Sequence, residues 1–314
     1  MSRKEAHLRM GTRGSALAVA QTELVRDRLV AAHPGLQVEI VRITTGGDRD
    51  LDRPLSQLGG KGAFTKELDE ALLESRIDCA VHSLKDVPTE LPEGLVLGAI
   101  GHRATPFDVL VANDGMILDE LPDGAKVGTS SLRRKAQLLL YRDDLDVVDV
   151  RGNVETRLRK LDEGKYDALV LAAAGLERLG LQDRVSEILT QDVMIPAPGQ
   201  GILAVAIRVG DAKTQRFVDV FEDPNARAAG SCERGFLAAL GGGCQAPAGA
   251  LAETIGGSIV ITGIIISPDA IDVYKGDHEG KKSAAAAIGK RLAIDLLDQG
   301  GDKVVRRAKA LFDS

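Results

Sequence analysis

Five arginines stand where this chain turns from an apolar run into a helix-like stretch. Arg13 lies in Gly11-Thr12-Arg13-Gly14-Ser15, and Arg133 and Arg134 follow Gly128-Thr129-Ser130-Ser131-Leu132. Arg151 follows the apolar run 147–150, and Arg157 lies one to two turns into the next helical pattern. Strand-to-helix turns gather at the carboxyl edge of a parallel sheet, where ligands bind. Helix amino termini there present free N–H groups and partial positive charge. Ser and Thr add hydroxyls, and arginine adds a planar fork that matches a carboxylate or phosphate. The set describes a site for an anion with several negative groups. The competing reading is that Ser130, Ser131 and Asn153 cap helices while the arginines form surface pairs. For any single arginine that reading is preferred; for the set, in an acidic chain, the anion site is.

A second constellation is Val81-His82-Ser83-Leu84-Lys85-Asp86-Val87-Pro88, after the apolar run 77–81. A carboxylate, a lysine, a hydroxyl and an imidazole this close can position and exchange protons. An exposed Lys-Asp turn beside a core histidine has the same composition. Lys61, in Gly59-Gly60-Lys61-Gly62, is not part of a P-loop, because no Ser or Thr follows the Gly-Lys. It reads as a cationic tip on a glycine loop, within a long polar stretch, 44–62, that could cover a sheet edge. Cys244 follows three glycines in Gly241-Gly242-Gly243-Cys244-Gln245. An exposed thiol there suits covalent attachment, although a small residue before a strand is the commoner reason for a cysteine. Cys79 reads as core and Cys232 as helical. No Cys-x-x-Cys or helical His pair marks a metal site.

The elements that must carry these residues follow from the patterning. The 314 residues suggest two or three domains at ~100–200 each. With 44% hydrophobic and 27% charged residues the chain is globular. A net charge of −6 and only six Phe, three Tyr and no Trp argue against nucleic-acid binding by bulk charge or base stacking. No apolar run reaches the ~18 residues a membrane span needs, no signal-peptide core follows Met1, and three scattered cysteines fit a reducing cytoplasm. Strand-length apolar runs at 38–43, 77–81, 95–100, 109–112, 147–150, 168–171 and 204–209 alternate with amphipathic stretches at 16–30, 63–74 and 154–161. That alternation predicts α/β sheets with mostly parallel strands. The last ninety residues predict a smaller α+β unit: a helix over 225–240, strands over 246–252, 258–266 and 271–274, then helices over 284–297 and 304–312. Pro/Gly-containing stretches at 101–106, 196–201 and 222–224 are the candidate boundaries. The turns at 11–17 and 128–133 echo each other. Two similar α/β halves would produce such an echo, but reuse of one turn chemistry is the safer reading of a single sequence.

Taken in order, the motifs quoted above, together with Arg151-Gly152-Asn153 and Pro198-Gly199-Gln200-Gly201, identify a resemblance. The chain closely resembles the hydroxymethylbilane synthase family, also called porphobilinogen deaminases, nearly end to end. The resemblance implies two α/β domains similar to periplasmic binding proteins with a cleft between them, plus a smaller C-terminal α+β domain. It implies a discontinuous domain 1 (1–101 and 202–221), a domain 2 (106–196) and a domain 3 (224–314) bearing the cysteine loop. Periodicity alone does not reveal the return into domain 1.

The implied cofactor is a dipyrromethane joined by a thioether to Cys244. The implied reaction adds four porphobilinogen units to it and releases linear hydroxymethylbilane, within tetrapyrrole (porphyrin and haem) biosynthesis. Every porphobilinogen carries an acetate and a propionate, which accounts for the arginines. The resemblance makes Asp86 the catalytic carboxylate. It makes Ser83, Lys85, Ser131, Arg133, Arg134, Arg157 and Gln200 cofactor contacts alongside Cys244. Arg13, Ser15, Arg151, Arg157 and Lys61 become substrate contacts. His82 matches the motif with packing as good a reason as proton transfer. No metal is implied, and a cytoplasmic monomer is expected, acting on a small molecule without nucleic acid or membrane. Phe107, Gly46, Gln57 and Ala63 depart from the family pattern and bear on hinge and lid details. Two other classes fit part of the pattern. A two-lobed polycarboxylate binder fits the arginines but needs neither Asp86 beside Lys85 nor a thiol at Cys244. A phosphate-handling transferase fits the glycine loop but lacks a nucleotide motif.

Overall fold

The structure is a computed structural model and describes residues 6–46, 65–242 and 247–313. The chain divides into two compact units, Met1–Arg103 with Ile202–Arg227, and Ala104–Gly201 with Ala228–Ser314. Lys61, Gln57, Ala63 and Cys244 lie outside the described residues.

In the first unit, strand β1 (Ala6–Thr12) leads through Arg13 and Gly14 into helix α1 (Ala16–Ala32). Ser15 caps that helix by accepting from the Ala18 N–H at 3.3 Å. Strand β2 (Leu36–Arg42), helix α2 (Lys66–Leu73), strand β3 (Cys79–Ser83) and strand β4 (Leu95–Ile100) follow. In the second unit come β5 (Asp108–Ala112), β6 (Lys126–Gly128), α3 (Leu132–Tyr141), β7 (Asp146–Val148) and α4 (Val154–Asp162). Strand β8 (Ala168–Ala172), α5 (Ala173–Arg178) and β9 (Glu187–Leu189) complete that sheet region. Strand β10 (Leu203–Arg208) and helix α6 (Ala212–Val218) belong to the first unit again. Helix α7 (Pro224–Ala239) leads to β11 (Ala248–Ile255), β12 (Ser258–Ile266), β13 (Val273–Lys281), α8 (Ala285–Leu296) and α9 (Asp302–Asp313).

The two five-stranded sheets share one plan. The first has the order β2-β1-β3-β10-β4 and the second β7-β6-β8-β5-β9. In each, the second strand runs parallel to the first and third, and the fourth runs antiparallel to both neighbours. The echo between the turns at 11–17 and 128–133 is therefore structural. Both turns leave the second strand of matching sheets, so the safer reading of reused turn chemistry is corrected. The expectation of mostly parallel strands holds for strand direction, four of the five in each sheet, while half the pairings are antiparallel because β10 and β5 enter their sheets in the opposite sense to the strands beside them. Apolar runs are silent about direction.

Each of these sheets is buried on both faces, which is why its central strands read as continuous apolar runs. In the first unit Val25 and Leu29 of α1 pack with Leu8, Met10, Cys79 and Val205. Leu68 and Leu72 of α2 pack with Ile77, Ala80 and Ala206 on the other face. In the second unit Leu138 of α3 covers Leu110, Val127 and Val170, while Leu158 and Leu161 of α4 cover Val109, Val111, Leu169 and Leu171. The three-stranded sheet β11-β12-β13 has its own core, built from Cys232, Phe236, Ile259, Ile261, Leu292 and Val304. Its β13 runs seven residues past the expected end. Lys275, Asp277, Glu279 and Lys281 alternate as exposed side chains on an edge strand, so no apolar pattern marks it.

Candidate functional site

In the first unit the parallel register sets the carboxyl ends of β1 and β3 side by side, Met10 opposite Cys79 and Gly11 opposite Ala80. Arg13 and Ser15 leave one strand there, and Ser83, Lys85 and Asp86 leave the other. Gln21 of α1 ties the two by donating from Nε2 to Ser83 Oγ at 3.0 Å. Leu84–Asp86 forms a single 3-10 turn, started by Leu84 N–H donating to Ile202 O at 2.9 Å. Asp86 is half-buried and, among the described residues, has neither hydrogen bond nor ion pair. Lys85 is half-buried beside it. His82 is buried, and burial, reinforced by Arg13, pushes its pKa down to about 4. It is a neutral imidazole at pH 7, which fits packing and orientation better than proton donation.

In the second unit β6 and β7 run parallel with Gly128 opposite Val148. Their turns lie together at the same carboxyl edge. Thr129 N–H donates to Val148 O at 2.9 Å, and the Ser130 hydroxyl donates to Val150 O at 2.7 Å. Ser131 caps α3, accepting from Arg134 N–H at 3.4 Å, and Asn153 caps α4, accepting from Thr156 N–H at 2.9 Å. Both helices thus begin at this edge.

Arg133, Arg134 and Arg157 are not surface pairs. Arg133 and Arg134 converge on Asp108, which is fully buried at the start of β5. Arg133 Nη1 donates to Asp108 Oδ2 at 2.8 Å, and Arg134 donates from Nη2 and Nε to Oδ1 at 2.7 and 3.0 Å. Gln200 Nε2 adds a fourth donor to Oδ1 at 3.0 Å. Burial would raise the Asp108 pKa, but the two guanidinium groups and Gln200 hold it far below the usual carboxylate range. One carboxylate faces two guanidinium charges, so the group keeps positive charge.

Arg157 adds to that excess. Its Nε donates to Gly152 O at 2.8 Å. Burial, with Arg134 and Arg151 nearby, lowers its pKa to about 10. Like charges gathered out of water are unfavourable unless an anion joins them. Arg178 of α5, which sequence reasoning missed, is similar. Burial lowers its pKa to about 10, and it donates from Nη2 to Gly201 O at 2.7 Å. Asp108 was missed as well. An acid at the head of an apolar strand looks like any strand end until the arginines of a distant helix are brought onto it.

Gln200 is set by its segment. Gly199 and Gly201 have φ of +80° and +86°, and a Cβ on Gly201 would lie 2.6 Å from Ala104 O. Only glycine fits both conditions, so Pro198-Gly199-Gln200-Gly201 presents Gln200 in one orientation. The expected contacts Lys61 and Cys244 fall outside the described residues. Among the described residues, no helix is long and apolar enough to cross a membrane.

The chain is similar to known proteins over most of its length. The family model described as "Porphobilinogen deaminase, dipyromethane cofactor binding domain" matches residues 8–216. The one described as "Porphobilinogen deaminase, C-terminal domain" matches residues 228–298. The porphobilinogen deaminase of Roseiflexus castenholzii is 52% identical over 298 residues, 95% of this chain and 98% of that protein. That of Pelotomaculum thermopropionicum is 50% identical over 300 residues, 96% of each. Among solved structures, the periplasmic aliphatic sulphonate binding protein SsuA of Escherichia coli aligns with 72% of this chain and 70% of its own. Its sequence identity is 18% and its TM-score 0.40.

Proposed function

The chain belongs to the porphobilinogen deaminase family, and from that premise we propose which of its residues carry the reaction. Its function is that of a hydroxymethylbilane synthase, a transferase of tetrapyrrole biosynthesis that joins four porphobilinogen units and releases the linear product. The cofactor is dipyrromethane, which supplies the free α-position that accepts incoming units.

The residues present fit a group of this kind. The carrying observation is the pair Arg133 and Arg134 on the single buried carboxylate of Asp108, which leaves net positive charge at the sheet edge where Arg157 also stands. A polycarboxylate balances that charge, and pyrrole acetate and propionate groups are bidentate partners for such forks. In our reading Arg133, Arg134, Arg157, Ser131, Gln200, Ser83 and Lys85 are the cofactor contacts. Arg13, Ser15, Arg151 and Arg157, with Lys61, bind the carboxylates of the incoming unit. Cys244 is the attachment point. Asp86 is the catalytic carboxylate. It has no described partner to satisfy its charge, so it is available to stabilise the cation that develops as ammonia leaves porphobilinogen. Arg178 joins the substrate contacts on the strength of its burial.

The three-domain division, 1–101 with 202–221, 106–196 and 224–314, is part of the same reading. Three sheets with separate cores support it. So is a cytoplasmic monomer, and the net charge of −6 argues against a nucleic-acid partner.

Peptide mass spectrometry of the purified chain tests the assignment. A two-pyrrole adduct on Cys244 is expected. If Cys244 stays bare after incubation with porphobilinogen or preformed hydroxymethylbilane, and no ammonia appears, the assignment fails.

A further inference from the structure

Glu233 is fully buried on α7, and its two oxygens serve two distant segments. Oε2 accepts the Gly199 N–H at 2.6 Å, and Oε1 accepts the Ala252 N–H at 2.7 Å. Ala252 lies on β11, the outer strand of its sheet, and its N–H turns away from β12. One step earlier on the same edge, Ala250 N–H donates to Pro196 O at 2.9 Å. Segment 196–199 therefore lies along the free edge of β11. Gly249 allows the approach, since a Cβ there would sit 2.6 Å from Ile195 O. Glu233 fills the place where the two backbones diverge and each would otherwise bury an unpaired N–H.

The same segment also meets the arginine network. Ile195 O accepts from Arg133 Nη1 at 2.8 Å and from Gln137 Nε2 at 3.1 Å, and Gln200 reaches Asp108. The segment is thus held both by the arginine-bearing helix and by β11. β11 begins four residues after Cys244.

We propose that Glu233 is a positioning residue for pyrrole-chain growth, fixing β11, which begins four residues after Cys244, in register with Gln200 and, through Asp108, with Arg133 and Arg134. The inference rests on the reading of Cys244 and the arginines given above. It adds a residue that acts through two backbone amides, those of Gly199 and Ala252. A carboxylate suits the place because both of its oxygens accept. In Glu233→Gln one of the two amides would face an NH2 group, donor against donor.

The test compares parent protein, Glu233→Gln, Glu233→Asp, Gln200→Ala and the Glu233→Gln/Gln200→Ala double variant. Each is incubated with porphobilinogen, and intact mass spectrometry follows the successive pyrrole-bearing species. All rates are expressed per folded, cofactor-bearing molecule. Hydrogen exchange at Gly199 and Ala252 is read in parallel. Glu233→Gln is expected to slow pyrrole addition at least 10-fold, to accumulate early species, and to speed exchange at both amides. The double variant is expected to be little slower than the slower single one, because both act through the same segment. Glu233→Asp, which keeps the charge but reaches one amide, is expected to fall between Glu233→Gln and the parent, and it decides the matter if Glu233→Gln does not fold. Addition rates within twofold of the parent per folded holo molecule overturn the proposal, as do fully multiplicative effects in the double variant. A parent protein with no adduct on Cys244 overturns instead the reading on which it rests.

Discussion

Arg134 places two of its nitrogens, Nη2 at 2.7 Å and Nε at 3.0 Å, on a single oxygen of Asp108. The other oxygen goes to Arg133. Both guanidinium forks are therefore fixed in orientation by one carboxylate of the protein. Preorganised donors are what make a polar site effective, since they need not reorient when the ligand arrives.

Asp108→Asn is expected to destabilise the fold strongly. It leaves two buried guanidinium groups facing a neutral amide, and breaking such an arrangement costs about 3–5 kcal/mol. Urea unfolding measures it. In the parent the Asp108 pKa is depressed, so its contribution is present above the ordinary carboxylate pKa and is lost as pH falls below it. An Asn variant with the parent's urea midpoint at pH 7 would show that the arginines are balanced by something else.

Arg157→Met should separate stability from activity. The side chain is drawn out of water among like charges, so replacing it with an apolar chain of similar length is expected to leave cofactor-free protein as stable or up to ~2 kcal/mol more so. Turnover is expected to fall by about 100-fold, the equivalent of one lost charge-assisted contact of ~3 kcal/mol. Thermal melts and ammonia release provide the two readings. A large loss of stability would mean that Arg157 is structural and that the anion site has been misassigned.

Asp86→Asn is expected to lower kcat by roughly 10²–10³, the range seen when a preorganised charge-stabilising group is removed. Because Asp86 has no hydrogen bond or ion pair among the described residues, the melting temperature should move little. Turnover equal to the parent's would remove Asp86 from the catalytic role.

Two buried groups of the first unit pull stability in opposite directions as pH falls. His82 has its pKa lowered from 6.5 to about 4, so between those values the unfolded chain takes a proton that the folded one refuses, and stability drops with pH. Asp69 of α2 has its pKa raised by burial from 3.8 to about 6, so there the folded chain keeps a proton that the unfolded one has lost. Its contribution is present at low pH and disappears as pH rises through that window. Each shift corresponds to roughly 3 kcal/mol, so the two nearly cancel between pH 6 and 4. Asp69→Asn should expose the His82 effect, steepening the loss of stability between pH 6.5 and 4.5. Identical pH slopes in urea titrations of parent and variant would contradict this compensation.

Much of the chemistry was legible because the residue types repeat a local logic. Arg13, Arg133, Arg134, Arg151 and Arg157 each follow a strand-to-helix turn. The capping serines and Asn153 announce the helix starts, and those ends do meet in pairs at sheet edges through the registers of β1 with β3 and β6 with β7. Lone polar residues without a local pattern stayed silent. Neither Glu233 nor Gln21 belongs to a motif of the sequence, and both are buried.

By itself the sequence determined the elements, the helix caps, the acidic and aromatic-poor surface and the motif order that places the chain in its family. These are local properties, encoded in apolar periodicity and turn chemistry within a few residues. Tertiary structure alone decided that β10 and β5 enter their sheets antiparallel, which makes the turns at residues 11–17 and 128–133 true counterparts. It alone brought Asp108, 25 residues from Arg133 and 92 from Gln200, to the point where their charges and amides meet. Strand direction and long-range ion pairing depend on which surfaces close over one another. That choice is made by the summed burial of whole faces, and no single stretch of the chain records it.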